Sequence, residues 1–185
     1  TRVVDVAKHT MPSGEDRWFL GVLAAGFDAV VNERANQWRW PKGPMRYNLA
    51  IMRELPVFRA IPYVLELDGT RMETEAMLVA VGNGPAYGGG MKVTPDASFD
   101  DGLLDVLVLH KISTAEFLRV FPTVFKGTHV THPKVQVLRA RTVRLEATGI
   151  VSYADGERFA PLPMSMEVVP GALTCGCPSM TGSQA

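Results

Sequence analysis

Apolar residues in this chain come mostly in short runs, or alternate with polar ones, between clusters of turn residues, a pattern that predicts strands. The opening Thr1–Val6 is already strand-like. Trp18–Leu23 reads as a buried apolar segment, and Pro62–Leu67 and Met72–Val81 flank Asp68-Gly69, a dipeptide that favours a tight hairpin. Leu103–His110 is nearly continuous in apolar character, whereas Val135–Arg139 and Thr142–Ala147 alternate as half-buried strands do. Ile150–Tyr153, Met164–Val169 and Ala172–Cys175 complete the predicted strands. Helical spacing is confined to fewer stretches. Phe27–Trp38 repeats at Phe27, Val30, Val31 and Ala35, and Met45–Leu55 repeats at Leu49, Met52 and Leu55 until Pro56 stops it. Ser113-Thr114-Ala115-Glu116 is a capping box ahead of Phe117, Val120, Phe121, Val124 and Phe125, a helix predicted to kink at Pro122 and to end at Gly127. Many strands at short spacing with a few inserted helices predict a mainly β domain, a β-sandwich or barrel-like one, rather than a parallel α/β sheet.

Length and charge narrow the picture. At 185 residues the chain is the size of one ordinary domain. Its 19 Lys and Arg balance 19 Asp and Glu, which argues against nucleic acid as a main partner. A membrane surface needs only a local basic patch. Arg34, Trp38, Arg39, Trp40, Lys42 and Arg46 mix basic and aromatic side chains as interfacial contacts do, though an ordinary amphipathic surface is the plainer reading. No apolar run approaches the ~20 residues that span a bilayer, and no signal-like segment opens the chain. Cys175 and Cys177 lack the partners that zinc requires and read as inert thiols of a reducing compartment. A strand at the first residues, without an initiator methionine, predicts a piece of a longer protein cut at a domain boundary. The domain is expected to span 1–178, followed by a small, polar, disordered tail at 179–185.

Candidate chemistry concentrates in two acidic turns and a glycine run. Gly82-Asn83-Gly84 and Gly88-Gly89-Gly90 free the backbone for close approach, but Met91-Lys92-Val93 and Pro95 follow where a phosphate loop needs Lys-Ser/Thr and a helix. Taken alone, these glycines are turn formers. Asp100-Asp101-Gly102 is a tight turn that reads either as an oxygen-rich site for a hard cation or as plain turn chemistry. Asp155-Gly156-Glu157 places two carboxylates where one could act as a general base, with an Asp-Gly hairpin as the alternative. His129 and His132 sit three apart in a loop, as a metal pair or, more simply, a surface turn.

The order of these pieces resembles the bacterial diacylglycerol kinase and sphingosine kinase-like lipid kinase family, specifically its C-terminal domain. The resemblance is carried by Ala25-Gly26-Phe27-Asp28-Ala29, by Val81–Leu109 (VGNGPAYGGGMKVTPDASFDDGLLDVLVL), by Phe125–Val135, by Tyr153–Glu157 (YADGE) and by Pro163–Leu173. A nucleotide kinase such as an NAD kinase shares the superfamily architecture, but the GGGM…DDGLLD run fits the lipid kinases better. The resemblance implies a β-sandwich domain of the NAD kinase/diacylglycerol kinase-like superfamily, working beside its own N-terminal nucleotide-binding domain. That domain's Gly-Gly-Asp-Gly-Thr motif is not in this sequence, so this chain alone is expected to be inactive. It implies a kinase that transfers the γ-phosphate of ATP, with Mg²⁺, to the hydroxyl of diacylglycerol, giving phosphatidic acid. Glu157 would be the proton acceptor, Asp155 would orient Glu157 or a cation, and Mg²⁺ would take the Asp101 side chain with the carbonyls of Ser98 and Leu103. It further implies a cytoplasmic location with peripheral contact at the inner face of the membrane, and allows a homo-oligomer. The alternatives are another lipid alcohol, such as a sphingoid base or ceramide, or a non-catalytic lipid-binding module.

Overall fold

The structure is a computed structural model that describes residues 1–38, 40, 44–87 and 90–176. Its strands join in a single curled antiparallel sheet. The chain opens with β1 (Arg2–Thr10), β2 (Asp16–Phe19) and β3 (Val22–Gly26), passes through helices α1 (Phe27–Gln37) and α2 (Pro44–Glu54), and returns in β4 (Ile61–Leu67) and β5 (Thr70–Gly82). A long loop leads to β6 (Leu104–His110), then α3 (Thr114–Val120), 3-10 turns at Phe121–Phe125 and Thr128–Thr131, and β7 (Val135–Ala140). The last strands are β8 (Thr142–Glu146), β9 (Val151–Ala154), β10 (Glu157–Pro161) and β11 (Met164–Cys175). The sheet runs β10-β9-β3-β5-β4-β8-β11-β1-β2, with β6 pairing β5 and β7 beside that path.

Strand β5 is the hub. Its first half pairs β4 through the Asp68-Gly69 turn, where both residues take positive φ (47° and 82°) as a two-residue hairpin demands. Its second half lies between β3 and β6. These central strands are buried on both faces, hence their unbroken apolar sequence. Leu104, Val106 and Val108 of β6 enter the core inside the curl, and Leu107 and Leu109 enter a second core. Phe27, Val31, Ile51 and Phe117 of the three helices cover that second core. In β8 and β11 only one face is covered: Val143, Leu145, Met164 and Met166 are buried while Ser165 and Glu167 are exposed.

The predicted mainly β fold is the one observed. Four local expectations are corrected. Trp18–Leu23 is not one buried segment: it breaks at Leu20-Gly21 into two strands, leaving Trp18 48% and Leu20 37% exposed. The two strands predicted at Met164–Val169 and Ala172–Cys175 are one, continuous through Pro170-Gly171 along β1. Helix α3 does not kink at Pro122 but ends at Val120, and Pro122 opens a 3-10 turn, where its missing N–H is harmless. The His129 loop is no surface turn, because His129 is buried with its Nε2 against the carbonyl of Val93 (3.0 Å). Strand β10, rich in charge and proline, had no signal of its own beyond the preceding Asp-Gly. Gly88, Gly89, Arg39, Lys42, Cys177 and the 179–185 tail lie outside the described residues.

Candidate active site

A polar knot, buried at Asp5 and Asn83 and exposed at Asp155, ties the two acidic turns to the same backbone. Asp155 takes a positive φ (51°) at the β9–β10 turn. Its carboxylate accepts the N–H groups of Leu20 (2.9 Å), Gly21 (2.9 Å) and Val22 (3.2 Å). A Cβ at position 21 would stand 2.6 Å from Asp155 Oδ1, so only glycine admits this capture. The far side of the same corner is held by Asn83: its Nδ2 donates to the carbonyls of Leu20 and Asp5 (both 2.9 Å), and its N–H donates to the carbonyl of Gly21. Asp5 continues the chain of bonds. It sits where the register between β1 and β11 slips, and its carboxylate accepts Gly102 N–H and Gly171 N–H (both 2.8 Å). Gly102 closes the second acidic turn. Asp5 and Asn83 were missed in the sequence. The available signal was a lone carboxylate inside Val3-Val4-Asp5-Val6-Ala7.

The glycine run serves this knot. A Cβ at Gly84 would meet the Phe99 ring at 2.1 Å, and Thr94 donates to the carbonyl of Gly84 (2.9 Å). What approaches Gly82 and Gly84 is the chain's own 94–99 loop; nothing lies within 4 Å of a Cβ at Gly90.

The two turns present their carboxylates differently. Glu157 begins β10 and is exposed, and its side chain makes no hydrogen bond or ion pair among the described residues. It lines an open cleft of about 480 Å³ with Asp155, Arg158, Arg17 and Trp18. Arg17 donates to the carbonyl of Phe159, its guanidinium 4.8 Å from that ring's centre. In the other turn Asp100 is held by Ser98 Oγ (2.5 Å) and Arg2 (2.9 Å), which keep its carboxyl below the usual range. Asp101 accepts Leu103 N–H (3.1 Å) and pairs with Arg139. Arg139 also reaches the buried Asp105 at 3.4 Å. Burial pushes the Asp105 carboxyl up against the pull of Arg139, and its Oδ2 has no hydrogen-bond partner among the described residues.

Among the described residues no three His, Cys, Asp or Glu side chains converge to hold a metal. His129 and His132 do not form a pair; His132 lies 3.3 Å from Glu116 instead. A site of one carboxylate and two carbonyls would not need three such side chains. The Asp101 carboxylate and the Ser98 and Leu103 carbonyls are oxygen donors of the kind a hard ion takes, but Arg139 already pairs with Asp101, so an ion there has to displace or share that guanidinium.

A second feature lies between the sheet and the helices. An apolar cavity of about 80 Å³ is lined by Phe27, Ile51, Leu78, Leu107, Phe117 and Phe121, among others. Its one acid, Asp28, is pushed up by burial, against hydrogen bonds from Tyr47 and Tyr87. Asn32 Nδ2 satisfies its other oxygen (3.1 Å).

The fold and the paired turns define a β-sandwich domain of the NAD kinase/diacylglycerol kinase-like kind. The model of the YegS C-terminal NAD kinase beta sandwich-like domain matches residues 21–177, and the chain belongs to that family. It is 44% identical over 174 residues to a diacylglycerol kinase of Mycobacterium tuberculosis, covering 94% of this chain and 56% of that protein. It is 29% identical over 162 residues to a diacylglycerol kinase of Staphylococcus aureus, covering 86% and 50%. The chain thus spans about half the length of these curated relatives. A solved diacylglycerol kinase structure from Bacillus anthracis superposes with a TM-score of 0.59 at 22% identity, over 92% of this chain and 52% of that one, and shares the fold.

Proposed function

We propose that this chain is the lipid-facing half of an ATP- and Mg²⁺-dependent kinase that phosphorylates the hydroxyl of diacylglycerol, giving phosphatidic acid. The observation that carries the reading is the division of labour at Asp155-Gly156-Glu157. Asp155 is committed to backbone amides, so the turn is rigid, and Glu157 stands unpaired at the lip of a cleft. A free carboxylate in that position can take a proton. The lipid oxygen would bond to the γ-phosphorus as the bond from that phosphorus to the bridging oxygen breaks. ADP departs and the hydroxyl proton passes to Glu157. Asp155 would orient Glu157 only indirectly, by fixing the turn. Phosphoryl transfer leaves little covalent work to side chains, so positioning and charge carry most of it. Arg17 and Arg158 offer positive charge in the same cleft. Asp101, with the carbonyls of Ser98 and Leu103, would hold Mg²⁺, which when bound neutralises phosphate charge. ATP would sit mainly on the N-terminal domain of the full-length protein.

The test is ATP-dependent phosphorylation of diacylglycerol in detergent micelles by the full-length protein and its Glu157→Gln form. Phosphatidic acid from the parent, reduced at least about a hundredfold in the variant, is expected. Near-normal turnover by the variant overturns the role of Glu157. A parent inactive on diacylglycerol but active on sphingoid bases or ceramide transfers the reading to those alcohols, and silence on all leaves a lipid-binding module.

A further inference from the structure

The curled sheet does not close on itself. Its path ends at β10 on one side and β2 on the other, and among the described residues neither strand pairs with a second neighbour. One hydrogen bond among the described residues joins the two edges: Arg17 of β2 donates from Nη1 to the carbonyl of Phe159 in β10. Its guanidinium also lies 4.8 Å from the centre of the Phe159 ring, a cation–π contact. The floor of this seam is packed. Phe19 meets Phe159 edge-on at 5.7 Å. His9, opposite Arg17 across β1 and β2, is buried with its Nδ1 against the carbonyl of Ser165 (2.6 Å). Arg17 is therefore held in one orientation by the protein itself.

What Arg17 lacks is an acid. The bond to Phe159 uses one of its five N–H donors, and among the described residues it has no other hydrogen bond and no ion pair. Arg158 is exposed, and its side chain likewise has neither among the described residues. Both arginines line the cleft of Glu157. Of the other acids there, Asp155 is spent on backbone amides and Asp16 accepts Thr10 Oγ1 (2.6 Å). That leaves two guanidinium groups facing Glu157 and the exposed Glu15.

We propose that this seam is a phosphomonoester subsite, in which Arg17 takes two oxygens of a phosphate and Arg158 adds the second positive charge. The ligand class follows from the donors, because a guanidinium presents parallel N–H groups that match two phosphate oxygens. A donor already oriented costs no reorganisation when charge arrives. The proposal deepens the kinase reading and rests on it for the source of the phosphate: the group transferred to the lipid oxygen is held here. The proton that Glu157 takes in that step removes one negative charge from the same cleft.

The experiment is a nucleotide-free calorimetric titration of the full-length protein with dihexanoyl phosphatidic acid, dihexanoyl glycerol and inorganic phosphate. The parent is expected to bind the phosphatidic acid at least about tenfold tighter than the glycerol. Arg17→Lys keeps the charge and loses the fork; it should weaken the phosphatidic acid about tenfold and leave the glycerol unchanged. Arg158→Ala should weaken it about threefold. Inorganic phosphate is expected to compete with the phosphatidic acid in the parent, and to weaken by the same factor in Arg17→Lys. Arg158→Ala carries the test if Arg17→Lys misfolds by circular dichroism. Equal affinity of the parent for both lipids overturns the proposal, as does a folded Arg17→Lys that binds phosphatidic acid like the parent. Equal losses for both lipids would show that Arg17 only braces the seam, and a loss confined to a parallel titration with ATP would assign the arginines to the nucleotide; either overturns it. No turnover is involved, so failure here leaves the Glu157→Gln assay standing, and a parent inactive in that assay still answers the titration.

Discussion

In the turn at Asp155–Glu157 one carboxylate gathers backbone amides and the other stands free in a cleft; in the turn at Asp100–Asp101 each carboxylate meets an arginine. Both turns hang from one polar knot through Leu20–Val22, Asn83 and Asp5, so their surroundings were folded together. The difference is what each turn leaves available. The first exposes a group that can exchange a proton. The second holds its charges in fixed pairs with Arg2 and Arg139. Acidic turns of similar composition can therefore take opposite roles, decided by the partners that arrive from elsewhere in the chain.

The comparison can be broken at each end. The largest effect is expected from Glu157→Gln, which should remove at least about two orders of magnitude of activity and leave the thermal midpoint where it was. Asp155→Asn is the converse. Asparagine tolerates the positive φ but brings one acceptor oxygen to the N–H groups of Leu20, Gly21 and Val22. It should cost about 2–3 kcal/mol and lower the thermal midpoint by several degrees. If Glu157→Gln destabilises and Asp155→Asn does not, the assignment of roles is reversed.

A smaller effect is expected from Arg139→Ala, about 1–2 kcal/mol near pH 7, measured by denaturant unfolding at several pH values. Asp105 is already raised by burial, so the folded state holds its proton more tightly than the unfolded chain, whose carboxyl sits near 3.8. Stability is then lost as pH rises from that value through the folded one. Without Arg139 the folded value rises further, so the variant should lag the parent most near neutrality and converge with it toward pH 4. A pH-independent gap would show that Arg139 acts by packing alone. The smallest effect belongs to Arg2→Ala: the Arg2–Asp100 pair is exposed on both sides, and its loss should move the thermal midpoint by less than about a degree.

Much of the fold was legible because burial writes directly into pattern. The doubly buried β6 is a continuous apolar run, the half-buried β8 alternates, and the Asp68-Gly69 hairpin lies where its turn chemistry put it. Glu157, Asp155 and Asp101 were legible as candidates for the same local reason, each beside a glycine in a turn. The break at Leu20-Gly21 was not. Its cause is a carboxylate 133 to 135 residues away in the chain, and the flanking residues are apolar on both sides. The continuity of β11 through Pro170-Gly171 depends likewise on Asp5, which takes the N–H of Gly171. Asp28 stood in the sequence only within the Ala25–Ala29 landmark, and its partners Tyr47 and Asn32 are brought to it by the fold.

By itself, then, the sequence determined the strand-rich class, the turns and the family to which they belong, because periodicity, glycine and proline act on their immediate neighbours. Tertiary structure alone decided which carboxylates are free. That depends on which amides and guanidinium groups the sheet brings within about 3 Å of each acid, and no local rule of sequence encodes it.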